Sequence, residues 1–160
     1  MDQRKEIETF QASLKVLMRR GSKVLLLRTK RNHISLPGGR IDKGEYRLPL
    51  EKIIEREIKE ELGSEVRYRL GRPLFQYRRY NSRTKTAALV TVYEGIFFGG
   101  RVILSPEHVR YDWVDINDLS FKIQDFGIEN KEKLRAFERY FEYLKNRQKR
   151  FAQQKGGVVS

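Results

Sequence analysis

Two short apolar runs lie near the start of the chain, at residues 12–18 and 23–27, and the polar residues 19–22 separate them. Their length, their aliphatic content and the glycine between them predict two strands joined by a tight turn. A charged stretch without hydrophobic periodicity follows, up to the sequence Leu-Pro-Gly-Gly at residues 36–39. Because proline fixes φ and glycine tolerates positive φ, we predict a shaped loop here rather than a flexible linker.

A helix is predicted after Pro49, because apolar residues then recur at every fourth position. These residues are Leu50, Ile54, Ile58 and Leu62. Such spacing places the side chains on one face of a helix. Pro49 suits the first turn, where its missing N–H costs nothing, and Gly63 can end the helix.

The second half of the chain predicts a sheet followed by a second helix. Segments with the aromatic and β-branched content of strands are residues 66–70, 74–80, 87–98, 102–104 and 110–114. From residue 130 to about 147, apolar side chains are spaced three and four apart: Leu134, Phe137, Phe141 and Leu144. This stripe predicts a helix that packs on the sheet. The same spacing also fits a coiled-coil or dimer seam, so a monomer and a homodimer both stay open.

The order of these elements predicts an α/β (α+β) fold with a mixed sheet. A length of 160 residues suits one domain, which we place at residues 1–150, followed by a flexible C-terminal tail at 151–160. No stretch approaches the roughly eighteen apolar residues of a membrane span, and the N-terminus lacks a signal-type apolar core. We therefore expect a cytoplasmic protein with no membrane partner.

Composition limits the kinds of metal site and favours anionic partners. The chain has no cysteine, so a metal must be held by oxygen or imidazole ligands. The formal net charge of +13 favours nucleotide phosphates, RNA or DNA as partners, without distinguishing among them.

Part of the positive charge is concentrated between Glu65 and Glu94, where no acidic residue occurs. Six arginines and one lysine occur in this stretch, interleaved with aromatic residues. Four residues of the stretch are our candidate substrate-binding residues: Arg67, Arg69, Arg78 and Tyr80. Guanidinium groups bind phosphates and aromatic rings stack on bases, so one interpretation is a substrate or RNA surface. The alternative interpretation is one solvated face of a sheet.

Three glutamates carry the chemistry that we expect. Glu57, Glu60 and Glu61 stand at positions i, i+3 and i+4 of the predicted helix, so their carboxylates project from one face. Crowded carboxylates repel one another unless a cation lies among them, and oxygen ligands suit Mg²⁺ or Mn²⁺. The alternative is an ordinary solvated acidic face balanced by neighbouring lysines and arginines.

At these residues the chain resembles the signature of the Nudix hydrolase family (MutT-like), Gly-x5-Glu-x7-Arg-Glu-U-x-Glu-Glu-x-Gly-U, with U an aliphatic residue. Eight of the nine specified positions match: Gly39, Glu45, Arg56, Glu57, Ile58, Glu60, Glu61 and Gly63. Ten residues separate Glu45 from Arg56 where the family has seven, and Ser64 occupies the last aliphatic position. The extra residues lie in the loop before Pro49 and leave the phase of the helix unchanged.

The resemblance covers residues 12–144 and implies an α/β/α sandwich with a mixed sheet, in which residues 111–116 form a late strand. It implies that Glu60 and Glu61 ligate metal ions and that Glu57 is a ligand or a catalytic base. It also implies that the Gly38 carbonyl is a ligand. Arg56 would orient Glu45 through a charge-assisted hydrogen bond, which makes Arg56 and Glu45 part of the catalytic group.

Glu107 is the candidate for a further carboxylate ligand, since many family members supply one from the loop before the late strand. A surface glutamate beside a proline is the alternative. Tyr80 lies sixteen residues after Ser64, close to where diadenosine polyphosphate hydrolases of the family carry a tyrosine.

The function that the resemblance implies is hydrolysis of a diphosphate linkage in a nucleotide or nucleoside diphosphate derivative, with Mg²⁺ as cofactor and Mn²⁺ as a substitute. One alternative is a pyrophosphohydrolase acting on RNA 5′ ends. Another is a non-catalytic Nudix-like module that binds nucleotides or nucleic acid. The complete glutamate set argues against the last alternative, and the insertion argues weakly for it.

Overall fold

The structure, a computed structural model, describes residues 5–156. A mixed seven-stranded sheet and two helices form most of it. The strands are β1 (Gln11–Arg20), β2 (Lys23–Thr29), β3 (Ile34–Ser35), β4 (Gly38–Arg40), β5 (Arg67–Asn81), β6 (Thr86–Gly99) and β7 (His108–Asp115). The helices are α1 (Leu50–Leu62) and α2 (Lys131–Gly156).

Strand β1 is the centre of the sheet. It runs parallel to β6 on one side and pairs antiparallel with β2 and β4 on the other. Strand β5 is antiparallel to β6, while β3 and β7 both pair antiparallel with β2. The predicted mixed sheet and the hairpin of the first two strands are therefore confirmed.

The two helices cover opposite faces of the sheet, and alternation along β2 shows how the sequence achieves this. Val24 and Leu26 belong to the core that contains Phe137 of α2, whereas Leu25 and Leu27 belong to the core that contains Ile58 of α1. A period of two sends successive side chains to opposite faces, so a strand buried on both sides is apolar throughout. The α/β/α sandwich is confirmed.

Helix α2 buries the apolar stripe that its spacing predicted. Phe137, Phe141 and Leu144 are buried in the core and Leu134 packs at its margin. The prediction that this stripe packs on the sheet is confirmed, because these side chains contact residues of the sheet in the same chain. The helix extends to Gly156, so residues 151–156 of the predicted tail are helical. Residues 157–160 of that tail and residues 1–4 of the predicted domain lie outside the described part of the chain.

Helix α1 begins directly after Pro49 and is followed by its C-cap residue Gly63, whose φ is +89°. Its buried face contains Ile53, Ile54, Ile58 and Leu62. Leu50, expected on that face, is 41% exposed. Leu50 opens the helix from the surface loop, so its packing place is taken by Ile53.

The predicted strand at residues 102–104 is wrong. This segment is irregular, although its residues have strand-like composition. The Ile103 N–H donates to the Leu62 carbonyl (2.9 Å) and the Ser105 N–H donates to the Glu61 carbonyl (3.1 Å). The segment therefore satisfies the free carbonyls at the C-terminal end of α1 instead of pairing with the sheet.

The two strands predicted at 66–70 and 74–80 form one strand, β5. Its pairing with β6 shifts register on both sides of Pro73. Proline has no N–H to donate, so an edge strand such as β5 can accommodate it only by a local irregularity.

Among residues 5–156, no helix has both the length and the apolar character needed to cross a membrane.

Candidate active site

The loop between β3 and α1 is held against β1 by its backbone. The Val16 N–H donates to the Pro37 carbonyl (2.8 Å), and the Ser13 hydroxyl donates to the Gly39 carbonyl (3.1 Å). Gly38 has a φ of +120°, and a Cβ there would overlap the Leu14 carbonyl oxygen. Only glycine permits both this conformation and this approach. The loop thus presents its backbone at a fixed distance from the central strand.

Arg56 and Glu45 form the pair that the resemblance implied. The Arg56 Nε donates to Glu45 Oε1 (2.7 Å) and its Nη2 donates to Oε2 (3.0 Å). The carboxylate also accepts the Asp42 N–H (2.8 Å), and these hydrogen bonds hold the Glu45 pKa below its ordinary value. Glu45 begins a short 3-10 helix, Glu45–Arg47, which brings it to Arg56 despite the insertion. The structure therefore contains the hydrogen-bonded pair, and the catalytic role of these two residues stays a prediction.

The three candidate glutamates of α1 lie in different environments. The side chain of Glu57 is only 12% exposed and contacts Arg56 Nη1 (3.0 Å). The side chain of Glu60 is 59% exposed and also contacts that nitrogen (3.2 Å). Residue Glu61 is 6% exposed, and its Oε2 accepts the Gly38 N–H (2.8 Å). The helix spacing therefore produces one exposed carboxylate (Glu60), one partly buried carboxylate (Glu57) and one buried carboxylate (Glu61).

Burial makes the two inner carboxylates harder to ionise. It raises the pKa of Glu61 to about 7, against the opposing effects of Lys15 and of the Gly38 N–H. It also raises the pKa of Glu57, although Arg56 acts in the other direction. Partly buried Lys15 donates from Nζ to the Gly38 carbonyl, and burial lowers its pKa. A cation brought close to Glu57 and Glu61 would favour their charged forms.

We expect the stability of the metal-free protein to fall as the pH rises from about 4.5 to about 7. Over this range the folded protein keeps a proton on Glu61 that the unfolded chain has lost, so each rise in pH favours unfolding. Urea unfolding at several pH values would measure this slope, and Glu61→Gln should flatten it. Identical profiles for the wild type and the variant would contradict the assignment.

The side chains of Lys15, Glu57, Glu60 and Glu61 line one cavity of about 500 Å³, a size typical of ligand sites. Its lining contains the carboxylates of Glu57, Glu60, Glu61 and Glu107. It also contains basic side chains, which include Arg79 of β5 and Arg83 of the turn that follows β5. The structure thus brings Glu107, predicted from its place before β7, to the same cavity as the α1 glutamates. The opposed charges suit an anionic ligand held together with a cation.

The oxygen atoms around this cavity are of the kind that bind Mg²⁺, but they are held by protein partners. Among residues 5–156, no three His, Cys, Asp or Glu side chains lie close enough together to enclose a metal ion. The Glu60 carboxylate contacts Arg56 and that of Glu61 accepts the Gly38 N–H, so the expected convergence on one point is not present. The donor chemistry fits a hard divalent ion.

The four predicted substrate-binding residues lie outside this cavity. Arg78 pairs with Glu132 of α2 (2.8 Å), and Arg67 lines a depression beside α1. Arg69 is exposed elsewhere on β5. Tyr80 lines a small pocket with Lys133 that adjoins the cavity and shares Arg79 with it. Successive residues of a strand face opposite sides, so Arg79 reaches the cavity where Arg78 does not.

Sequence reasoning missed Ser13, Lys15, Arg79 and Arg83 as cavity residues. A signal was present for Lys15, because it is the only charged residue in the predicted strand at residues 12–18. For the arginines the signal was the basic stretch itself. Its members could not be assigned to a face without the register of β5.

The sequence of residues 9–137 matches the family model described as NUDIX domain. No curated protein sequence is significantly similar to this chain. Among solved structures, a MutT protein from Methanosarcina mazei Go1 is 25% identical, over 88% of this chain and 96% of that one, with a TM-score of 0.65.

Two further structures share the fold. A MutT NUDIX hydrolase from Burkholderia pseudomallei is 24% identical over 81% of this chain and 98% of that one, with a TM-score of 0.59. An ADP-ribose pyrophosphatase from Streptococcus suis is 18% identical over 79% of this chain and 89% of that one, with a TM-score of 0.54.

Proposed function

Because this chain belongs to the Nudix hydrolase family, we propose that it cleaves a diphosphate linkage in a nucleotide or a nucleoside diphosphate derivative, with Mg²⁺ as cofactor. The observation that supports the proposal best is the cavity whose lining combines the carboxylates of Glu57, Glu60, Glu61 and Glu107 with the cationic side chains of Arg79 and Arg83. A diphosphate needs cationic contacts on both sides. Arg79 and Arg83 supply them on one side, and the glutamates can hold divalent cations on the other.

Glu57, Glu60 and Glu61, with the Gly38 carbonyl and Glu107, are the residues that would hold Mg²⁺ or Mn²⁺. When bound, such ions neutralise charge on the phosphates and lower the pKa of a water molecule. Glu57 is the proposed base, because its carboxylate lines the cavity, is only 12% exposed and packs against Gly39. Its Oε atom would accept the proton that the attacking water loses at phosphorus.

Arg56 is a positioning residue in this scheme. It contacts Glu57 at 3.0 Å while Glu45 holds its guanidinium by two hydrogen bonds, so the rotation of the Glu57 carboxylate is restricted. Arg79 and Arg83 would bind the phosphates and turn the scissile bond toward Glu57. Hydrolysis of a diphosphate depends mostly on such positioning and on charge stabilisation.

The proposal is tested by assaying purified protein against nucleoside triphosphates, nucleotide sugars, ADP-ribose, dinucleoside polyphosphates and 5′-triphosphorylated RNA. We expect hydrolysis of at least one of them with Mg²⁺ or Mn²⁺, and loss of that activity with excess EDTA. The cleaved bond is identified from the products by chromatography. Activity that survives metal removal, or the absence of cleavage across the panel with either metal, would contradict the proposal.

A further inference from the structure

A second concave surface lies between β5 and α2, separate from the catalytic cavity. This β5–α2 groove encloses about 550 Å³ and is lined by residues 72–76 of β5 and by one face of α2. None of its lining residues belongs to the catalytic cavity. The proposed hydrolysis gives it no role.

Aromatic rings form one part of the β5–α2 groove. Tyr140 of α2 stacks on Phe75 of β5, with ring centroids 4.7 Å apart and an interplanar angle of 28°. Tyr143 lies one turn further along α2, 6.1 Å from Tyr140, and is 52% exposed. An exposed ring beside a stacked pair offers a flat apolar face on which a planar ligand can continue the stack.

Four arginines also line the groove: Arg19, Arg72, Arg139 and Arg147. In the part of the chain that the structure describes, none of them has a carboxylate oxygen within 4.0 Å. The buried Nε of Arg19 also has no hydrogen-bond partner there. Glu94 is the one acidic residue of the lining, so the groove carries a net positive charge.

We propose that the β5–α2 groove binds a single-stranded nucleic acid. Phosphates would pair with the arginines, and unstacked bases would lie on the tyrosine rings, which is how proteins hold single strands without reading their sequence. A duplex hides its bases in its own stack and cannot use the rings. An acidic peptide could use the arginines but gains little from an open tyrosine face.

Strand β5 contributes residues to both this groove and the cavity of the candidate active site. Arg72 lines the groove and Arg79 of the same strand lines the cavity. The seven residue steps from Arg72 to Arg79 span about 23 Å at roughly 3.3 Å per residue. An extended strand of a few nucleotides could therefore lie in the groove with one end at the cavity. Binding in the groove does not depend on hydrolysis, so the two proposals fail separately.

The test is fluorescence anisotropy of oligouridine RNA and oligothymidine DNA of about ten nucleotides, in EDTA and at several salt concentrations. Tyr143→Ala should weaken binding about 5- to 100-fold, since stacking is lost. Arg72→Ala with Arg139→Ala should lower the slope of log affinity against log salt by about 1.4. Arg67→Ala with Arg69→Ala is the matched control. This variant also removes two positive charges, but both come from positions of β5 outside the groove.

A preference for RNA or for DNA identifies the natural ligand, and binding of either supports the proposal. It is overturned if neither oligonucleotide binds, or if the groove variants and the control variant bind equally well. It is also overturned if a glutamate-rich peptide of equal charge binds as tightly as the oligonucleotides. Thermal unfolding of each variant verifies that the exposed substitutions leave the fold intact.

Discussion

Replacing Glu57 with glutamine is expected to lower kcat by about 10²- to 10⁴-fold, the usual effect of removing a general base. The amide has the same shape as the carboxylate but cannot accept a proton at neutral pH, and it binds a hard cation weakly. Because Glu57 is nearly buried and burial raises its pKa, a neutral amide should fit the folded metal-free protein without loss of stability. Steady-state kinetics and thermal unfolding measure the two effects.

Glu55→Gln is the matched control for this experiment. Glu55 lies on the same helix, two positions earlier, and pairs with Lys52 and Lys59 on the surface. The same chemical change there should leave kcat within about twofold of the wild type, because an exposed ion pair of this kind contributes little. Near-wild-type turnover of Glu57→Gln would exclude Glu57 as the base.

Gly39→Ala is expected to reduce kcat by about 10²-fold while changing stability little. A Cβ at Gly39 would overlap the Glu57 carboxylate, which is the flexible end of a side chain, so that carboxylate would move and the backbone would not. A displacement of about 1 Å at a catalytic group can cost this much in rate. Kinetics with urea unfolding would separate loss of activity from loss of folding.

Gly71→Ala provides a comparable change away from the cavity. A Cβ at Gly71 would lie 2.8 Å from the Glu94 carboxylate, so it too displaces a glutamate side chain. Glu94 does not line the catalytic cavity, and turnover should be unchanged. Equal kcat values for the Gly39 and Gly71 variants would contradict the role assigned to the Glu57 position.

The helix α1 and its central ion pair could be predicted from the sequence because they depend on local spacing. Apolar residues every fourth position determine which face of a helix is buried, whatever the rest of the chain does. The Arg56 and Glu45 pair was predictable in spite of the insertion, because added loop residues do not alter the phase of the helix. Long-range information was not needed for either feature.

Features that depend on long-range pairing could not be predicted. Whether Arg78 or Arg79 faces the cavity depends on the register of β5, which shifts at Pro73. A register change of one residue would move every side chain of the strand to the opposite face of the sheet. Residues 102–104 have the composition of a strand, but their N–H groups meet the end of α1 instead. Helix α2 continues beyond Leu144, its last buried residue, because neither proline nor glycine occurs between Leu144 and Gly156.

The parallel pairing of β1 with β6 also affects when the protein can fold during synthesis. Gln11 lies opposite Ala88, and Arg19 lies opposite Ile96. Strand β1 therefore cannot pair with β6 until the ribosome has synthesised a much later part of the chain. The loop at residues 36–39 and α1 are translated in the interval. Contacts between such distant segments form slowly. A nascent chain that ends before β6 would therefore expose its apolar strands and possess no assembled catalytic cavity.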